Sequence, residues 1–184
     1  AGNISTGRSM TMTVDTIAPS PVDLTSSVAT VDTTFSSNYS YANAVAGTFQ
    51  SFATAGNVTA NTDVASIRIK LAVGTIGQTA DVQNDQLSFS TFLSAITVGN
   101  RDYNADNISV GTVTGVNCNY TSTDRTLTFT LNNSGIFSSA NLKSILGTVG
   151  FSTATTATQG SRIFYVTTTD LAGNVSPVSV RTFN

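Results

Sequence analysis

The chain has 184 residues and a formal net charge of −2, with no His, no Trp and a single Cys, Cys118. That excludes histidine-dependent nucleophile systems, zinc sites built on His and Cys, and any internal disulfide, and the eight basic residues are scattered singly rather than set in the stripe that tracks phosphates, so nucleic acid is not an expected partner. All ten acidic residues are Asp, a poor helix former and a good ligand in loops, and the abundance of Thr, Ser, Asn, Val and Ile is that of a β-protein.

The first five residues, AGNIS, return as AGNVS at 172–176. Each copy reads as a turn followed by a strand: Met10, Met12 and Val14 alternate with polar residues after the first, and Val178, Val180 and Thr182 after the second. The first copy runs into Asp15 and then into the stiff run Ala18-Pro19-Ser20-Pro21, which suits a hinge. Residues 1–16 are therefore expected to be the closing strand of a preceding module, or a linker, and residues 17–184 one complete ligand-binding module. A chain opening in mid-motif reads as one link of a longer secreted protein, and no apolar run is long enough for a membrane span.

From 32 to 62, Phe35, Tyr39, Tyr41, Phe49 and Phe52 stand among small polar residues without a clear period, so strands, loops and an insertion all fit. After this segment the strand signals are short and frequent. Ile67, Ile69, Leu71 and Val73 alternate with Arg68 and Lys70, the pattern of a half-buried antiparallel strand. Leu87 and Phe89 repeat it, then Leu127, Phe129 and Leu131, then residues 162–168 less strictly. One segment breaks the period. Leu142, Ile145, Leu146 and Val149 fall at i, i+3, i+4 and i+7 behind a Ser138 or Ser139 cap, with Gly147 available to stop a helix. The predicted fold is all-β, an antiparallel β-sandwich with one short helix near 139–147.

The densest set of oxygen-bearing side chains is NRDYNADN, residues 100–107, in which Asp102, Asn104 and Asp106 alternate between Asn100 and Asn107. Calcium takes six to eight oxygen ligands in forgiving geometry, and a turn rich in Asp and Asn supplies them. It is not an EF-hand, because the sixth position from Asp102 is Asn107 rather than Gly and the twelfth is Val113 rather than Glu. The competing reading is a solvated Asx-rich turn. Asp81, Asn84 and Asp85 form a second cluster before a strand, with Gln86 beside it, and Asp170 and Asn174 flank a turn through Gly173. Together with Asp15 they suggest ions at loop ends and module junctions, stiffening a rod of repeats. Asp63 and Asp124 stand in sparser company, and each fits a turn as well as a ligand role. Carboxylate pairs such as Asp102 with Asp106 or Asp85 raise the thought of glycoside hydrolysis, but nothing sets their pKa values apart and Glu is missing. No enzyme is expected.

The ending RIFYVTTTDLAGNVS, the linker VDTIAP and the succession NDQLSFS, TLTFTLNNSGIFSSANLKSILGTVGFST resemble the cadherin-like and Ig-like repeats of giant calcium-dependent RTX adhesins of Gram-negative bacteria. The likeness covers roughly residues 63–176 and the N-terminal tail. The extra length at 20–62 is similar in style to the peptide-binding domains of such adhesins, the ice-binding ones included. The resemblance implies a secreted cell-adhesion module at the bacterial surface, loaded with Ca²⁺ and flanked by adjacent modules. It also implies capture of the C-terminal carboxylate of a protein on another cell, or of a glycan, without insertion into a membrane. Under that implication Asp102, Asn104 and Asp106 would hold an ion, Arg101 would pair with the ligand carboxylate, Tyr103 would pack on the ligand, and Asn107 and Gln86 would read its neighbouring residues. The alternative is an extender repeat whose calcium is purely structural.

Overall fold

The computed structural model describes residues 14–25, 32–39, 48–53, 63–72, 85–89, 95–98, 102–153 and 160–184. The strands are β1 (Thr34–Ser37), β2 (Gln50–Ser51), β3 (Val64–Leu71), β4 (Asp85–Ser88), β5 (Ile96–Thr97), β6 (Tyr103–Val110), β7 (Val113–Thr121), β8 (Thr126–Leu131), β9 (Gly150–Thr153), β10 (Arg162–Asp170) and β11 (Ser179–Phe183), with one α-helix, α1 (Ser139–Thr148), between β8 and β9. They form a seven-stranded sheet in the order β1-β11-β10-β3-β8-β7-β6 and a four-stranded sheet in the order β2-β9-β4-β5. The fold is an all-β, sandwich-like one. Pairing is antiparallel throughout except at β1 and β11, which run parallel.

Alternation decides the faces. In β3, Ile67, Ile69 and Leu71 are buried while Arg68 and Lys70 are exposed, and in β10 Phe164 and Val166 point inward. Aromatic rings then join the two sheets: Phe151 of β9 lies 4.7 Å from Phe183 of β11 and 5.5 Å from Phe164, and Phe89, just past β4, meets Phe129 of β8 edge-on at 5.6 Å. Such tilted and edge-on pairs add to the stabilisation from buried area. Phe52, from the segment without a clear period, completes the cluster at 4.9 Å from Phe164.

Helix α1 starts where the sequence places it. The Ser138 hydroxyl accepts the Asn141 N–H, and Leu142, Ile145, Leu146 and Val149 are buried. Gly147 does not stop the helix, which runs on to Thr148; the Val149 N–H still reaches the Ile145 carbonyl and only Val149 itself turns extended. The last strand is inverted relative to expectation. Ser179, Arg181 and Phe183 face inward, whereas Val178 is exposed and Val180 and Thr182 are half-buried. Hydrogen bonds make this possible, since the Ser179 hydroxyl donates to the Val22 carbonyl and the Arg181 guanidinium to four oxygens. The proline run is no free hinge either: Pro19 is buried, and Val22, Asp23 and Leu24 follow it into the interior.

Candidate metal centre

Strand β10 ends in Asp170, and the chain reverses through residues 171–174 on a conformation that the sequence dictates. The Asp170 carboxylate accepts the Asn174 N–H on Oδ1 and the Asn174 side-chain amide on Oδ2, both at 2.8 Å, and Gly173 takes φ +92°, a backbone state that L side chains rarely adopt. Asp170 pairs with Val64 across a register shift that follows Thr169, which brings the end of β10 beside Asp63 at the start of β3. The N-terminal segment crosses the same place: the Asn174 amide donates to the Asp15 carbonyl at 3.1 Å, and the Ile17 N–H donates to the Asp15 carboxylate at 2.9 Å.

Three remote stretches therefore converge. One carboxylate oxygen from each of Asp15, Asp63 and Asp170 lies within 4.8 Å of the others, Asp15 exposed, Asp63 half-buried and Asp170 buried. Among the described residues no Lys or Arg forms an ion pair with any of them. Burial opposes charge on Asp170, but the hydrogen bonds from Asn174 and from the Ala172 and Gly173 N–H groups outweigh it and hold its carboxyl below the ordinary range. The group is thus kept anionic next to two more carboxylates, an arrangement whose repulsion a cation reverses. Two oxygens bound at 2.3–2.6 Å to one calcium ion are at most about 5 Å apart, so this separation fits a shared ion. The donors are all hard oxygens, which suits calcium, magnesium or manganese rather than zinc or copper.

Among the described residues, the other predicted ligands do not join this group. Residues 103–110 are a strand, not a turn, so Asp102, Asn104 and Asp106 follow one another along exposed backbone, with Asn104 about 7 Å from each of its neighbours at strand spacing. Asp102 is held instead by Ser122, whose N–H and hydroxyl donate to its Oδ1 at 2.8 and 2.7 Å and lower its pKa. Asn107 takes φ +57°, gives its N–H to Asn117 and accepts the Asn132 amide. The Tyr103 ring packs edge-on against Phe89 at 6.0 Å, and burial pushes its phenol up, with Cys118 adding to the shift. That ring is half-buried and packs against the core.

Asp85 does not join this acidic group. It is wholly buried, paired with Arg162 Nε at 2.6 Å, and accepts the Thr153 hydroxyl at 2.8 Å. Gln86 lies half-buried in β4 between Thr97 and Ser152. Asp81, Asn100 and Arg101 fall outside the described residues. Among the described residues, Asp15, Asp63 and Asp170 are the one set of three acidic side chains that meet, with Asn174 bracing the Asp170 carboxylate and the Asp15 backbone carbonyl. The residue that sequence reasoning left undecided is Asp63. A signal for it existed: Asp63 immediately precedes the clearest strand pattern in the chain and Asp170 ends another, so antiparallel neighbours bring both to the same end of the sheet.

No family model, curated protein or solved structure matches this chain. Among the described residues no helix is long and apolar enough to cross a membrane.

Proposed function

We propose that this chain is a module of a secreted bacterial surface adhesin of the calcium-dependent, tandem-repeat type, in which a calcium ion held by Asp15, Asp63 and Asp170 fixes the incoming chain to the end of the sandwich. The observation that carries this reading is the convergence of the three carboxylates from the N-terminal segment, the start of β3 and the end of β10. Asp15 belongs to the stretch that follows the first AGNxS copy, and Asp170 heads the second. Bound calcium would tie the stretch between modules to the body of this one and limit its freedom to swing.

The test is calorimetric titration of the calcium-free protein with CaCl₂ and, separately, MgCl₂. One site is expected to be lost together in Asp63→Asn and Asp170→Asn and to survive in Asp102→Asn. Binding that disappears in Asp102→Asn and persists in Asp63→Asn would move the ion back to residues 100–107.

A second reading has one observation in its favour. Asp15 is exposed, and three carboxylates leave a calcium ion short of its usual shell unless water or an outside oxygen completes it. A peptide's terminal carboxylate fits such a vacancy. Titrating the calcium-loaded protein with short peptides, free acid against C-terminal amide, decides it: equal affinity for both forms rules out carboxylate capture.

A further inference from the structure

Among the described residues β1 is the first strand and β11 the last, and the two are paired in parallel, Thr34 opposite Val180 through Ser37 opposite Phe183. Backbone bonds extend the ladder beyond that register: the Val180 N–H donates to Thr33 O, the Asn184 N–H to Ser37 O, and the Tyr39 N–H to Asn184 O. Once the contacts of Asp15 and Val22 have yielded, tension on the chain enters β1 at its N-terminal end and leaves β11 at its C-terminal end. For parallel strands these are opposite ends of the pair, so the load slides one strand along the other. The ladder bonds must then yield together instead of one after another.

A second feature reinforces that one seam. Arg181 of β11 is buried, and its guanidinium carbon lies 3.9 Å from the ring centroids of both Phe35 in β1 and Phe183 in β11. It donates from Nη1 to Phe35 O and Thr182 O, and from Nη2 to Ser37 Oγ and Ser51 O, so one side chain grips β1, β11 and β2. No carboxylate among the described residues pairs with it, Nε has no partner, and burial pulls its pKa down to about 10. Burying a lone cation costs stability, and a planar fork stacked between two rings is a feature that Lys would not reproduce.

We infer that β1, β11 and Arg181 form a tension-bearing clamp, which gives the module a mechanical function along the chain axis. The biological setting of the clamp rests on the reading of the chain as one link of a surface array. Its geometry does not, and of the three calcium ligands only Asp15 lies upstream of the clamp.

The test is single-molecule pulling of the full chain through paired cysteine handles. Cys118 stays in place, because it is buried and its thiol pKa is pushed well up, so it does not compete for the handle chemistry. One pair, Thr34→Cys with a cysteine appended after Asn184, loads the two strands from opposite ends. The other, Thr34→Cys with Val178→Cys, loads them from the same end and opens the ladder bond by bond. Both load paths bypass Asp15, and both are measured in calcium and in chelator.

Several-fold higher unfolding force is expected for the first pair, with or without calcium, and Arg181→Lys is expected to lower that force while leaving the second pair unchanged. Forced unfolding reads the unfolding barrier along the loaded path, so a merely global loss of stability would lower both. Equal forces in the two geometries overturn the clamp. An Arg181→Lys effect that is absent, or alike in both, removes Arg181 from it; if that variant does not fold, Phe35→Leu takes its place. Both load paths bypass Asp15, so forces that do not change with calcium leave the clamp standing, and the metal site is tested separately by the calorimetric titration.

Discussion

At the scale of single residues, the chain uses Asp in three ways that its sequence does not distinguish. Asp85 is spent on a buried ion pair with Arg162 that connects the small sheet to the large one. Removing one partner leaves an uncompensated buried charge, so Asp85→Asn or Arg162→Met is expected to cost about 3–5 kcal/mol in denaturant unfolding, whereas replacing both with apolar residues is expected to cost less than either alone. Asp102 is exposed and held by Ser122. Its pKa is lowered in the folded protein, so its contribution to stability is present at neutral pH and is lost as the pH falls through the folded value, below the ordinary Asp range. Carboxyl NMR titration checks this: the Asp102 midpoint should lie below that of an ordinary Asp, and Ser122→Ala should move it up by removing one donor. Asp170 is fixed by Asn174 and kept ionised beside two other carboxylates, and only this third environment calls for an ion.

At the scale of elements, the parts that were legible in the sequence are those whose faces are set by apolar residues alone. β3 and β8 follow their alternation, and α1 follows its cap and its i, i+3, i+4 spacing. Ser138→Ala should therefore destabilise the fold by about 1 kcal/mol. Where buried positions are polar, the pattern misleads. β11 turns Ser179 and Arg181 inward because hydrogen bonds satisfy them there, and those partners come from Val22, Phe35, Ser37 and Ser51, remote in sequence. The Asx-rich run at 103–110 has the composition of a turn, but the ladder to β7 makes it an edge strand, with register shifts on either side of Ile108 and Asn107 at positive φ. The turn after this strand is demanding in a different way. Gly111 has φ +59°, and a Cβ there would lie 2.4 Å from Ser144 Oγ and 2.9 Å from the Ser144 carbonyl on α1. Gly111→Ala should cost more than about 1 kcal/mol, combining backbone strain with displacement of the helix. The metal centre was half legible for the same reason as β11. Asp170 and Asn174 stand in a recognisable turn and Asp15 just before the proline run, whereas the inclusion of Asp63 depends on which strands are neighbours.

At the scale of the whole molecule, the N-terminal segment meets the body at successive points before the parallel terminal strands begin. Asp15 meets Asp63 and Asp170, the Val22 carbonyl accepts the Ser179 hydroxyl, and β1 then joins β11. Exposed apolar side chains surround the first of these points: Val14 and Ile17 flank Asp15, while Leu171 and Val175 flank the turn between Asp170 and Asn174. A cation held by these three carboxylates would act where the N-terminal segment meets the end of the sandwich. A ligand that binds only the folded state raises the melting temperature with its free concentration. The direct measurement is the thermal melt of the full chain in excess calcium and in excess chelator, for the native sequence and for Asp63→Asn. The melting temperature is expected to rise with calcium and saturate in the native chain, with the rise abolished in Asp63→Asn; an identical melting temperature in calcium and in chelator for the native chain would rule out a calcium site in the folded protein.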